Sequence, residues 1–325
     1  MAIISSIRDG LRRVSASPKL IFFLWLFNFA MALPLAIIMS GQIESSIGAS
    51  LVHEKLRKGF DIDWYEEFAH DAKGLGKTFS PAVIGPGPFL GNLETWLNGN
   101  LFAGHVGIVG LGLGYMLVWM FLLGGIWDRF ARREERLTAE LFFSAAGRYF
   151  LRFILLFILG GVFYFFVFTF ISPLLFSTIT DLSRDATVER TVFFWTAGAY
   201  LVVALFLVVV NMVFDYAKIA TVLNGHRNML VATFEGFRFV FSHPAKTFGL
   251  YLILGAVLAL FFGIYVLIAP GAGQASGLMV ILAFLAGQIF LAIKLIARLT
   301  FFGGQMALYE TVRGIKTAPT PARDK

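Results

Sequence analysis

Residues 247–293 read TFGLYLILGAVLALFFGIYVLIAPGAGQASGLMVILAFLAGQIFLAI, 47 residues without a single Asp, Glu, Lys or Arg. A membrane-spanning helix needs about 20 apolar residues, so this run is too long for one helix and long enough for two. Its centre, Pro270-Gly271-Ala272-Gly273-Gln274-Ala275-Ser276-Gly277, joins a helix-breaking proline to closely spaced glycines and predicts a tight turn between two spans. Four shorter charge-free stretches precede it, at residues 20–43, 95–127, 153–180 and 191–214, each with room for one helix. The chain is therefore expected to be an all-α polytopic bundle of six transmembrane helices near residues 20–40, 101–127, 152–175, 192–214, 247–269 and 278–303. Residues 41–100 form an extracytoplasmic insertion in this reading.

Composition agrees with that reading. Of 325 residues, 58% are hydrophobic, 33 more are glycine, and only 14% are charged. Soluble domains are about 45–50% apolar with glycine included, and a water-soluble globule of this length has no means of hiding the excess. The absence of cysteine rules out disulfides, thiolate metal sites, iron–sulfur clusters and cysteine nucleophiles. Ala30-Met31-Ala32 has a small-x-small pattern, but the apolar run continues beyond it through Leu33-Pro34 to Met39, so an uncleaved first helix is favoured over a signal peptide.

The basic residues set an orientation. Counted along the six-helix layout, 18 of the 27 fall in the N-terminal segment, the second and fourth connections and the C-terminal tail, and only 7 fall in the outer segments. The positive-inside rule then places both termini in the cytoplasm of a multi-pass protein of the cell inner membrane. The net charge of +7 reads as a topology signal and a match to anionic lipid headgroups; nucleic acid is not an expected partner, because the basic residues hug membrane boundaries.

Two patterns suggest internal repetition. Asp9-Gly10-Leu11-Arg12-Arg13-Val14 with Pro18 precedes the first helix, and Glu235-Gly236-Phe237-Arg238-Phe239-Val240 with Pro244 precedes the fifth, at a constant offset. The even helices leave the apolar region through aromatic–acid–base signatures: Asp128 with Arg132, Asp215 with Lys218, and Glu310 with Arg313. At three or four residues apart each acid and base share a helix face and are expected to pair at the headgroup level. The chain thus reads as three parallel repeats, each an amphipathic cytoplasmic helix followed by a transmembrane hairpin. In the third unit Leu230, Phe234, Phe237 and Phe241 share a face; in the second, Leu137, Leu141, Phe142 and Ala145 do. Such faces either pack under the bundle or ride on the membrane surface or a partner.

Asp215-Tyr216-Ala217-Lys218-Ile219 followed by Glu235-Gly236-Phe237-Arg238-Phe239-Val240 and His243-Pro244 resembles a broad group of bacterial six-helix membrane proteins, including the membrane domain fused to some glycerophosphodiester phosphodiesterases. The resemblance covers about thirty residues in motif and the remainder in general layout. It implies a six-helix membrane domain and lends no catalytic residue.

Lys73-Gly74-Leu75-Gly76-Lys77-Thr78 ends like a phosphate-binding loop, but Asp71 stands at the first glycine position. Gln274-Ala275-Ser276-Gly277 falls in a turn and departs from the rhomboid serine motif, and the common hydrolase signatures do not occur. An enzyme is not expected. His53, Asp61, Asp63, His70 and Asp71 match no metal-site spacing and read as solvated faces. His105, the lone histidine of a span, excludes a bis-histidine haem within one chain, so no cofactor is expected. Gly104, Gly107, Gly110, Gly112 and Gly114 suggest close helix packing.

Lys294 and Arg298 are the chief anomaly. They lie four apart on one face of the sixth helix, about 24 and 18 Å from Glu310 at 1.5 Å per residue. Either they form a cationic site for an anionic solute or lipid headgroup, with Asn28, Asn211 and Gln288 as polar neighbours, or the helix exits earlier and both snorkel. The leading functional expectation is a non-enzymatic scaffold or accessory subunit of a membrane complex, with lipids and other membrane subunits as partners. The alternative is a permease or lipid-binding protein that handles a small anionic or amphiphilic solute at Lys294 and Arg298.

Overall fold

The computed structural model describes residues 2–48, 52–58, 61–79, 87, 91, 106–132, 138–184, 186, 188–268 and 276–315. His105, most of the stretch from Pro81 to Leu90, Leu137 and the turn at 270–275 lie outside the described residues. All regular structure among the described residues is helical. The helices are α1 (Ala2–Ser15), α2 (Pro18–Ile47), α3 (Val52–Lys58), α4 (Ile62–Asp71), α5 (Val106–Ala131), α6 (Ala139–Phe166), α7 (Ser172–Ser183), α8 (Glu189–Leu223), α9 (Met229–Ser242), α10 (Pro244–Ile268) and α11 (Gly277–Arg313). Among the described residues six are long and apolar enough to cross a membrane, α6 and α7 counting as one through a π-turn at Val167–Ile171. That turn precedes Pro173, which has no N–H for the regular ladder.

The chain is an integral membrane protein, and its helices overrun the charge-free stretches. α2 continues to Ile47, so the outer insertion begins later than residue 41, and α11 continues ten residues beyond the expected end at 303. The α11 extension is buried against other helices from Gly304 to Glu310, so helix formation is supported by packing there as well as by hydropathy, whereas the α2 extension is mostly exposed, with Ile43 and Ile47 partly covered. The described part of the insertion is a small apolar cap, with Trp64, Phe68 and Ala72 packed against Ile43 and Ile47 at the end of α2. Asp61 caps α4 by accepting from the Asp63 and Trp64 N–H groups.

X-Pro bonds decide where the flanking helices stop. The residue before proline is pushed out of the helical region, and breaks fall at Ser17-Pro18 between α1 and α2 and at His243-Pro244 between α9 and α10. The middle unit has no proline at the matching place. Its expected separate cytoplasmic helix is instead the first part of α6, capped by Thr138, with Phe142 and Ala145 buried and Leu141 facing out.

Three crossings hold the helices together, and they are the most extensive helix contacts among the described residues: α1 on α11, the start of α6 on α5, and α9 on α8. Each depends on backbones meeting with no side chain between them. A Cβ on Gly10 would lie 2.5 Å from the Gly304 nitrogen and 2.7 Å from the Thr300 carbonyl oxygen. A Cβ on Gly236 would collide in the same way with the Val213 carbonyl oxygen and lie 2.8 Å from the Ala217 nitrogen. On α5, a Cβ at Gly124 would come within 3.0 Å of the Ala146 carbonyl oxygen. By contrast, Gly110, Gly112 and Gly114 open onto free space, so the glycine-rich start of α5 is not the close-packing surface that its composition suggests.

Most fully buried side chains belong to the end where these crossings lie, including Trp127, Phe130, Tyr216, Phe239 and Tyr309. Toward the other end the outer surfaces of α10 and α11 are apolar and exposed, as lipid-facing helices must be. Overpacking a well-filled contact costs about 1–3 kcal/mol. Gly10→Ala should therefore lower the thermal unfolding temperature in detergent, whereas Gly147→Ala on the open face of α6 should leave it unchanged or slightly raised; equal behaviour of the two variants would disprove the α1–α11 crossing.

Candidate functional site

Three carboxylates organise the packed end of the bundle. Glu310 on α11 accepts a two-point contact from Arg13 on α1, with Nη2 at 2.5 Å and Nη1 at 3.5 Å. The same guanidinium donates to Asp9 Oδ2 at 2.9 Å and to the Phe130 carbonyl oxygen at the end of α5 at 2.9 Å. Arg13 is 7% exposed, so its five donors are directed into protein.

Asp215 on α8 accepts from Lys218 Nζ at 2.9 Å, the spacing expected from sequence, but it also reaches deeper partners. The Tyr251 hydroxyl of α10 donates to Asp215 Oδ2 at 2.7 Å, and Gln305 Nε2 of α11 donates to the same oxygen at 3.1 Å. Asp215 thus joins three helices and is more than a headgroup-level pair.

Glu235 on α9 receives Tyr309 Oη at 2.8 Å, Arg313 Nη2 at 2.8 Å and Asn224 Nδ2 at 3.1 Å, and His226 Nε2 sits 2.5 Å from its other oxygen. Burial pushes the Glu235 carboxyl up, but the hydrogen bonds from His226, Tyr309 and Asn224 and the charge of Arg313 outweigh it, holding the group below the usual carboxylate range. The expected pairing of Glu310 with Arg313 is corrected here: Arg313 turns to Glu235, and Glu310 faces Arg13. Asp128 and Arg132 do meet within α5, at 2.7 Å.

Lys294 and Arg298 differ from all of these. Among the described residues neither has an ion pair or a hydrogen bond. The Arg298 guanidinium stacks over the Trp119 indole of α5, its central carbon 4.3 Å from the ring centroid, with the Phe302 ring at 5.8 Å. Trp119 in turn stacks on Tyr115, and Tyr115 on Phe27, so a ladder of flat rings leads from α2 to the cation. The Trp119 N–H is buried without an acceptor among the described residues. Arg298 and Lys294 are both exposed at the surface of the chain, with Trp119 and Phe302 beneath the Arg298 guanidinium.

Two polar pairs join α2 to α5 and to α11. The Tyr115 hydroxyl donates to Asn28 Oδ1 at 2.9 Å, and Trp25 Nε1 donates to Gln288 Oε1 at 3.1 Å. Of the expected neighbours, Asn28 and Gln288 therefore belong to the α2–α5–α11 wall, and Asn211 lies exposed on α8. Along α11, Arg298 and Lys294 stand about 8 and 14 Å from the Gly303–Gly304 crossing at 1.5 Å per residue. Beyond them Phe301 to Tyr309 continue as helix under α1 rather than turning along a membrane surface.

Sequence reasoning found Lys294, Arg298, Asp215 and Lys218 but missed Arg13, Tyr251, Gln305 and Tyr309. The tandem Arg12-Arg13 before an apolar helix was the one available signal, since adjacent residues on a helix project about 100° apart and so meet different surroundings. Nothing in the sequence marks Tyr251 or Gln305. No family model, curated protein or solved structure matches this chain.

Because Asp215 holds Tyr251 and Gln305 as well as Lys218, Asp215→Asn should cost about 1–3 kcal/mol, the penalty of spoiling buried hydrogen bonds. Lys218→Gln leaves those two bonds in place and should cost less than about 1 kcal/mol, as a partly exposed pair does. Thermal unfolding of both variants measures the difference, and equal losses would reduce Asp215 to a surface pair.

Proposed function

We propose that the chain is a non-enzymatic multi-pass protein of the cell inner membrane that holds an acidic lipid or small anionic amphiphile at Lys294 and Arg298. The observation that carries this reading is the contrast in pairing. Every carboxylate node at the packed end is in contact with its cation, while among the described residues these two cations, one turn apart, have an aromatic wall and no ion pair, the charge of Asp215 acting on Arg298 without contact. An unpaired cation at membrane depth costs several kcal/mol, and like charges one turn apart repel, so an anionic headgroup with an apolar tail relieves both penalties. The aromatic ladder offers a surface for acyl chain, and the neighbouring Asn28 and Tyr115 offer polar contacts.

Three further parts belong to the proposal. The packed end, with both termini, is cytoplasmic, as the bias of basic residues supports. The chain is built of three parallel repeats, and the support is geometric: Gly10, Ala146 and Gly236 sit at equivalent crossings, on Gly303–Gly304, Gly124–Gly125 and Ala217. In this alignment Asp215 stands opposite Phe302, about two turns from Glu310, so the repeat is one of small-residue crossings and not of exit acids. Kinship with bacterial six-helix membrane proteins is part of the same reading; the motif residues Asp215, Glu235 and Gly236 are the ones that tie α8, α9 and α11 together.

Two experiments test it. Single cysteines at Ser183 and Ser276 in this cysteine-free chain should react with an impermeant maleimide from outside the cell, and those at Ser15 and Ser242 should not; the reverse pattern would invert the topology. Replacing Lys294 and Arg298 together by Leu should leave stability equal or higher, because a desolvation cost is relieved. Native mass spectrometry of the variant should show roughly tenfold or greater loss of tightly bound acidic lipid, since charge-assisted hydrogen bonds contribute about 1.5–3 kcal/mol each. An unchanged set of bound lipids would sink the ligand site and leave the scaffold or accessory-subunit reading.

A further inference from the structure

The α9 helix is divided into three sectors, and only one of them is used by the bundle. Met229, Ala232, Gly236, Phe239 and Val240 are buried against α8 and α11. Glu235, Arg238 and Ser242 form a polar sector. Leu230, Phe234, Phe237 and Phe241, the face recognised in the sequence, are all exposed, with Phe234 at 67% and Leu230 at 64%. At 100° per residue this apolar sector is centred roughly 140° from the buried one, so the helix cannot pack it under the bundle by rolling. The Phe237 and Phe241 rings pack on each other, centroids 4.4 Å apart, and make one continuous apolar surface.

The basic residues around that surface form no ion pair among the described residues. Arg227, Arg238 and Lys246 are exposed, and among the described residues none has an ion pair or hydrogen bond. The surface also continues into one already assigned to lipid, since α10 starts two residues after α9 ends and presents Leu252, Ile253 and Val257 outward. The matching residues of α1 show what is particular here. Its outward positions are Ile4, Arg8, Leu11 and Ser15, only half apolar, although its Gly10 crossing is the same.

We propose that α9 is an interfacial helix whose Leu230–Phe234–Phe237–Phe241 face is sunk into the acyl boundary of the leaflet on its side, with Arg227, Arg238 and Lys246 held by acidic headgroups. Aromatic and leucine side chains opposite a basic rim are the composition that partitions at this depth. The surface is separate from the Lys294–Arg298 pair and stands whether or not that pair binds a ligand. It ties the polar base to the bilayer plane, because Glu235 on the same helix holds Tyr309 and Arg313 of α11.

The test uses the full chain, which has no cysteine to remove. Spin labels are placed singly at Leu230, Phe234, Phe237 and Phe241, and at Val231 and Ser242 in the polar sector, with the protein in nanodiscs of mixed zwitterionic and acidic phospholipid. Two exposed positions or more on each face keep the comparison intact if one variant is lost. Labels on the apolar face should be relaxed by oxygen and not by a water-soluble nickel chelate, and labels at Val231 and Ser242 should show the opposite. Nickel access at Phe234 and Phe237 would mean a solvated face, and exclusion of both reagents would mean a covering protein, a partner or a second copy; either overturns the proposal. In nanodiscs without acidic phospholipid the oxygen preference should fall, and an unchanged preference would remove the headgroup contacts from it.

Discussion

The crossing of α1 over α11 closes the structure. Hairpins in a bilayer gain little from the hydrophobic effect when they associate, since lipid tails are as apolar as leucine, so close packing and hydrogen bonding must do the work. Gly10 and Gly303–Gly304 let the first and last helices meet at backbone distance, and Arg13 spans the joint to Glu310 and to the end of α5. The other two crossings join neighbours in the chain, α6 to α5 and α9 to α8, and so hold even if the far hairpins drift apart. Among the described residues α1 on α11 is the most extensive contact joining the first and last parts of the chain, with α2 on α11 beside it.

Within the bundle, charge is placed where loss of water is repaid by several partners at once. A buried pair alone gives weak support for stability, because desolvation can exceed the Coulomb gain. Here each carboxylate serves more than one element: Asp215 unites α8, α10 and α11, and Glu235 unites α9 with α11 and the α8–α9 connection. Tyr251 and Tyr309 are placed where their rings complete the apolar core and their hydroxyls satisfy the acids. This arrangement specifies one mutual orientation of the helices, which apolar packing at the base would leave free to slide.

The six spans were legible because hydropathy is a property of each segment taken singly, and the α10–α11 pair could be read from one charge-free run. The ends were less so: α8 and α11 continue as helix past the apolar stretch because α9 and α1 cover them, a fact about neighbours. Pairing was legible where both partners sit on one helix, as for Asp128 with Arg132 and Asp215 with Lys218. Glu310 and Arg313 have that same spacing, yet Arg13 and Glu235 compete for them across distant parts of the chain, and local spacing has no knowledge of such rivals. Glycines misled for a related reason. Gly110, Gly112 and Gly114 are conspicuous in sequence and face open space, whereas the inconspicuous Gly124, Gly236 and Gly303 carry the crossings.

The unpaired cations gain their meaning from this setting. In a chain that left many charges unsatisfied, Lys294 and Arg298 would be unremarkable, two basic side chains reaching for headgroups. Here Arg13 and Arg313 find carboxylates on other helices and Lys218 finds one on its own, and Arg298, one turn from the same packed layer, rests on the face of Trp119 instead. A cation stacked on indole keeps its in-plane N–H groups free for an acceptor, because the ring occupies only its flat side. The proposed site uses that free edge: an oxygen anion there would break no contact that Arg298 now makes, and Lys294, one turn farther along α11, would supply a second point. Such a site would need no moving part, because the folded base beneath it already holds α11 in place.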